Sequence, residues 1–141
     1  MIVVDASLAV KWFLDEPHAA QAEEILKIYT GQMMVPDILL VEVTSALVRN
    51  ANMVKSSRSN VLIALDRFER LLADGDLVAH RSSSAVVRQS ASLAIDMGHP
   101  LKDCLYLALA MELGCDLVTC DARFAAKAKD VWDRVRVLGA S

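Results

Sequence analysis

Ile2-Val3-Val4-Asp5-Ala6-Ser7, continued by an apolar stretch from Leu8 to Leu14, is the run that decides the fold. A short β-branched segment ends in an acid, two small residues follow, and helix-compatible spacing begins, which reads as strand, turn, helix. The same alternation runs down the chain. Ala19, Ala20, Ala22, Ile25, Leu26 and Ile28 make a helical pattern that stops at Gly31, with Pro17 suited to its first turn. Met33 to Val35 is a second strand. After Pro36-Asp37, Ile38 through Arg49 is a helix for which Asp37 is a candidate N-cap.

Ser56-Ser57 offers a cap for the next helix, in which Val61, Leu62, Leu65, Phe68, Leu71 and Leu72 recur at three- and four-residue intervals until Asp74-Gly75-Asp76. Leu77 to Ala79 is a short strand, Ser82-Ser83-Ser84 begins a helix over Ala85 to Met97, and Gly98-His99-Pro100 stops it. Leu101 to Leu113 is a helix ending at Gly114, Leu117 to Cys120 a strand, Ala122 to Lys129 a helix and Val135 to Leu138 a last strand. Strands alternating with helices predict an α/β fold with a parallel sheet covered on both faces.

At 141 residues the expectation is a single domain over residues 1–141, large enough for a core without disulfides or a structural metal. Apolar residues make up 55 %, yet no uninterrupted apolar stretch approaches the roughly 18 residues of a membrane span. The chain enters its first strand without a signal-peptide pattern, so a cytoplasmic protein is expected. Cys104, Cys115 and Cys120 form no close Cys-x-x-Cys pair and read as reduced thiols. The net charge of −3 argues against a domain held on nucleic acid by an overall positive field, but not against a nuclease.

Four carboxylates carry the chemistry. Asp5, Glu42, Asp103 and Asp121 each lie in an apolar setting: Ile2-Val3-Val4-Asp5, Ile38-Leu39-Leu40-Val41-Glu42-Val43, Asp103-Cys104-Leu105-Tyr106 and Leu117-Val118-Thr119-Cys120-Asp121. A buried, unpaired carboxylate costs several kcal/mol or gives up its charge. Singly, each has an ordinary explanation: Asp5 and Asp121 as helix caps, Asp103 as a first-turn helix charge, Glu42 paired with Arg49. Together, two strand-end acids and two helix acids suit a site for a hard divalent cation, Mg²⁺ or Mn²⁺ rather than zinc. Two such ions would take the formal charge from −3 to +1.

Other residues divide between structure and function. Trp12 and Phe13 read as packing rather than base stacking. His18, His80 and His99 share no ligand spacing and are not adjacent to the acids, so no histidine is chosen as a general base. Lys11, Lys102 and Arg123 are candidate contacts for substrate phosphates, with solvated surface charge as the alternative. An aspartyl phosphatase is a poorer reading, because Asp5-Ala6-Ser7 lacks a second acid two residues on.

Val4-Asp5-Ala6-Ser7, Pro36 with Glu42 and Leu47, the Asp103 to Ala110 segment and Leu117-Val118-Thr119-Cys120-Asp121 also resemble a known family in order and spacing. The chain resembles PIN-domain ribonucleases, specifically the VapC-type toxins of type II toxin-antitoxin systems, over essentially its whole length. The resemblance implies a three-layer α/β/α fold and a Mg²⁺- or Mn²⁺-dependent endoribonuclease. It implies that Asp5, Glu42, Asp103 and Asp121 form the acidic metal site, with Ser7 and Thr119 supporting it. It further implies an RNA substrate, a cognate VapB-type antitoxin and a homodimer. Lys102 departs from the pattern, since related sequences commonly carry an aromatic residue there. The non-enzymatic alternative is a PIN-like interaction module that retains its acids without catalysis.

Overall fold

In the computed structural model, which describes residues 1–54 and 58–139, five strands form one sheet: β1 (Ile2–Val4), β2 (Met33–Pro36), β3 (Leu77–His80), β4 (Asp116–Thr119) and β5 (Val135–Val137). Their spatial order is β3-β2-β1-β4-β5 and every pairing is parallel. All three β1 residues are buried, which a period-two strand permits only when both sheet faces are covered. The covering helices are α1 (Ala6–Ala9, continued by a 3₁₀ turn over Val10–Trp12), α2 (Ala19–Ile28), α3 (Leu39–Val54), α4 (Arg58–Ala73), α5 (Ser84–Met97), α6 (Leu101–Leu113) and α7 (Ala122–Ala128). This is the expected layered α/β/α arrangement.

Helix α6 is the central helix, contacting β1, β2 and β4 and packing along α5. Cys104 through Ala110 are all buried, so the helix is apolar around its whole circumference, as a helix enclosed on every side must be. Its only acid in the first turn, Asp103, is therefore left at the rim of the sheet. Gly98 and Gly114 close α5 and α6 in the left-handed conformation that glycine adopts without a Cβ penalty.

The chain climbs outward from β1 to β2 to β3, then returns to the other side of β1 to form β4. The direction of winding reverses between β1 and β4, and a crevice opens at their carboxyl ends, where open α/β sheets bind ligands. Val4 pairs in register with Val118, so Asp5 and Thr119 leave the sheet side by side.

Several helix boundaries differ from the sequence expectation. His18 takes a left-handed φ of 68°, so α2 starts at Ala19 and Pro17 stands before the helix rather than in its first turn. Helix α3 runs on past Arg49 to Val54, because nothing in Asn50-Ala51-Asn52-Met53 breaks it. The Asp37 carboxylate accepts the Ser82 hydroxyl at 3.1 Å. Ser83, within the predicted serine run, caps α5 by accepting the Val86 amide at 3.3 Å. The cap assigned to Ser56-Ser57 lies outside the described residues. Trp12 is buried with its indole N–H on the Ala22 carbonyl, and Phe13 packs against Phe68, as the packing reading required. No helix among the described residues is long and apolar enough to cross a membrane.

Candidate functional site

The crevice between β1 and β4 is lined by hydroxyls and carboxylates. Asp5 follows β1 in extended geometry, caps α1 by accepting the Leu8 amide at 3.2 Å, and is only 4 % exposed. The Ser7 hydroxyl donates to Asp5 Oδ1 at 2.7 Å and the Thr119 hydroxyl to Asp5 Oδ2 at 2.5 Å. The same two oxygens accept from the next strand's exit: Ser7 Oγ from the Cys120 amide at 2.9 Å, Thr119 Oγ1 from the Asp121 amide at 3.0 Å. Asp121 then caps α7 through the Phe124 amide at 3.0 Å. The capping roles that sequence offers as alternatives for Asp5 and Asp121 are thus made, and each carboxylate keeps lone pairs beyond them.

Burial pushes the Asp5 carboxyl up to about 6; the hydrogen bonds from Thr119, Ser7 and Leu8 pull the other way, and the charge of Asp103 adds to the rise. Three donors therefore do not compensate the desolvation of this carboxylate. Free thiols nearby are chemically quiet: burial raises Cys104 and Cys120 to about 11.

Glu42 projects from the first turn of α3 and accepts the Tyr106 hydroxyl at 2.6 Å. The phenol is held protonated, far above its ordinary range, first by burial and then by its bond to Glu42 and the charges of Glu42, Asp5 and Asp103. Three of the four acids thus act on one ring. Asp103 is engaged by His99, whose Nε2 lies 2.7 Å from Asp103 Oδ2.

The cations are arranged differently from the sequence expectation. Lys102 reaches Glu42 Oε2 at 3.7 Å, so the pairing that sequence offered to Arg49 as an alternative is made by Lys102 instead. Arg49 sits further along α3 and lines, with Ser7, Glu42, Ser45 and Lys102, a cleft of about 370 Å³ beside the acids. Lys11 pairs with Glu16 at 3.5 Å. Arg123 is exposed at the start of α7. A second cavity, of about 250 Å³ and lined by His80, Arg81 and Ser83, contains none of the four acids.

Hard oxygen donors with free lone pairs fit a divalent cation in kind. Among the described residues no three His, Cys, Asp or Glu side chains are gathered closely enough to hold an ion as they stand. Mg²⁺ does not need such a cage, since it keeps several waters and is commonly held by one or two carboxylates. An uncompensated, buried Asp5 is the position at which a cation would relieve the largest electrostatic cost.

Sequence reasoning missed His99 and Tyr106. The signal for His99 was its place four residues before Asp103 across a helix start; the signal for Tyr106 was a hydroxyl in a helix otherwise buried as apolar surface.

A parallel α/β sheet with acids at its winding reversal defines a class, and comparison with known families agrees: residues 2–130 match the PIN domain model. The chain belongs to the PIN domain family. Its fold is similar to that of Mycobacterium tuberculosis VapC20, a sarcin-ricin loop cleaving toxin, at 14 % identity and a TM-score of 0.71 over 89 % of this chain and 94 % of that one. A toxin-antitoxin complex from Klebsiella pneumoniae matches at 18 % identity and a TM-score of 0.69 over the full length of both chains. VapBC2 from Rickettsia felis, bound to a DNA fragment from its promoter, matches at 17 % identity and a TM-score of 0.61 over 97 % of each. No curated protein matches significantly in sequence.

Proposed function

We propose that this chain is a Mg²⁺- or Mn²⁺-dependent endoribonuclease, the VapC-type toxin of a type II toxin-antitoxin pair. The observation that carries the reading is Asp5: a buried carboxylate at the β1–β4 reversal, raised to about 6, joined through Thr119 to the Asp121 backbone and coupled to Asp103. Membership of the PIN domain family and the toxins among its structural neighbours support it.

In this reading Asp5, Glu42, Asp103 and Asp121 hold the cation. When bound, a divalent ion there supplies a water of lowered pKa and neutralises charge on the phosphodiester. Ser7 and Thr119 orient the Asp5 carboxylate, and Tyr106 orients Glu42. Lys11, Lys102 and Arg123 are the candidate phosphate contacts; Lys102 must leave Glu42 to serve as one. A single domain, a cytoplasmic location, a VapB-type antitoxin and a homodimer complete the proposal.

A second reading has its own support. Among the described residues no three acidic side chains are close enough to hold an ion as they stand, which favours a PIN-like interaction module without catalysis. The two are separated by incubating total cellular RNA with purified, partner-free protein in Mg²⁺, Mn²⁺ or EDTA, with Asp5→Asn as the contamination control. Metal-dependent cuts absent from the variant are expected; no cutting in any metal would favour the interaction module.

A further inference from the structure

The Asp103 carboxylate is held by a ring fixed between two charged neighbours. The His99 side chain is 6 % exposed and stacks on Phe124 with ring centroids 4.9 Å apart and planes at 27°. Its Nε2 lies 2.7 Å from Asp103 Oδ2 and its Nδ1 lies 3.5 Å from Lys127 Nζ. Lys127 is itself anchored, donating to the Gly98 carbonyl at 3.0 Å. An ammonium offers only hydrogens and an ionised carboxylate only lone pairs. A neutral imidazole satisfies both in one way, with Nδ1 accepting from Lys127 and Nε2–H donated to Asp103.

We infer that His99 is a positioning residue: Lys127 selects its Nε2–H tautomer, and that tautomer holds Asp103 Oδ2, fixing the carboxylate that would hold a divalent cation. The inference rests on the reading of Asp103 as a cation ligand. Pro100 follows His99, and its fixed φ of −59° starts α6 immediately after the ring, so backbone and stacking together hold the imidazole over the first helical turn. A carboxylate fixed in this way loses less freedom when it binds, and removing such a partner typically costs ten- to a hundred-fold in metal affinity.

The test uses Mn²⁺ alone as the probe. Calorimetric titration of the full chain compares the wild type with His99→Phe, which keeps a ring on Phe124 but has no donor, and with His99→Gln, which restores an N–H near the Nε2 position. His99→Phe is expected to weaken Mn²⁺ binding roughly ten-fold, and His99→Gln to recover most of that loss. Nitrogen-15 spectra of the histidine rings, which need no variant at His99, are expected to place the hydrogen on Nε2 in the wild type and to turn to a tautomer mixture in Lys127→Met. Unchanged Mn²⁺ affinity in His99→Phe, or a hydrogen on Nδ1 in the wild type, would overturn the inference. A wild type that takes up no Mn²⁺ would remove the cation-site reading itself, and the inference with it.

Discussion

Thr119 donates its hydroxyl to the Asp5 carboxylate across the β1–β4 seam at 2.5 Å, joining residues 114 positions apart. The same oxygen accepts the Asp121 amide, so one threonine fixes an acid from each strand exit.

Thr119→Val keeps the shape and removes both bonds. Because the lost hydrogen bond goes to a buried carboxylate, a destabilisation of about 2 kcal/mol is expected in urea unfolding. Thr119→Ser should recover most of it. Equal stability of the valine variant and the wild type would show that the contact does not hold Asp5.

Asp5 makes the metal-free protein sensitive to pH. Its folded value of about 6 lies above the ordinary 3.8, so the folded state binds the proton more tightly than the unfolded one. The resulting stability is fully present below about pH 4 and is lost as pH rises through about 6. Converted through the free energy of one pH unit, the loss is about 3 kcal/mol. In EDTA, Asp5→Asn should therefore gain on the wild type between pH 4.5 and 7.5; parallel stability curves for the two proteins would contradict this.

Tyr106→Phe deletes the donor to Glu42 Oε1 while leaving the ring packed within α6. Stability should fall by about 1 kcal/mol, and Mn²⁺ affinity by roughly ten-fold. Calorimetric titration against the wild type measures the second effect, and unchanged affinity would free Glu42 from any dependence on the phenol.

Lys102 is 61 % exposed and its pair with Glu42 spans 3.7 Å. A contact so open to solvent is worth little, and Lys102→Met should change stability by less than about 0.5 kcal/mol. Removing a competitor for the carboxylate should tighten Mn²⁺ binding; weaker binding would mean that Lys102 helps to build the site.

Much of the architecture was legible in the chain. Leu101–Leu113 is bounded as predicted because Pro100 and Gly114 punctuate it, and each strand run lies within a residue of its predicted limits. His18 was not legible, since its left-handed φ reflects the path into α2 rather than a local propensity. Glu42 was read as an acid in need of a cation, with Arg49 as the ordinary alternative on helical spacing alone, whereas Tyr106 and Lys102 reach it from a different helix. His99 was set aside because none of the histidines shared a ligand spacing, yet the turn at Pro100 carries its ring back over Asp103.

The sequence by itself determined the order of strands and helices and the isolation of four acids among apolar residues, because periodicity and solvation are local properties. Only the tertiary structure decided that β4 lies beside β1 rather than beyond β3. That choice sets Asp5 against Thr119, gives Asp103 its histidine and Glu42 its phenol, and buries Asp5 deeply enough to raise its pKa. Contacts between distant residues depend on which helices and strands become neighbours, and packing of the whole core settles that.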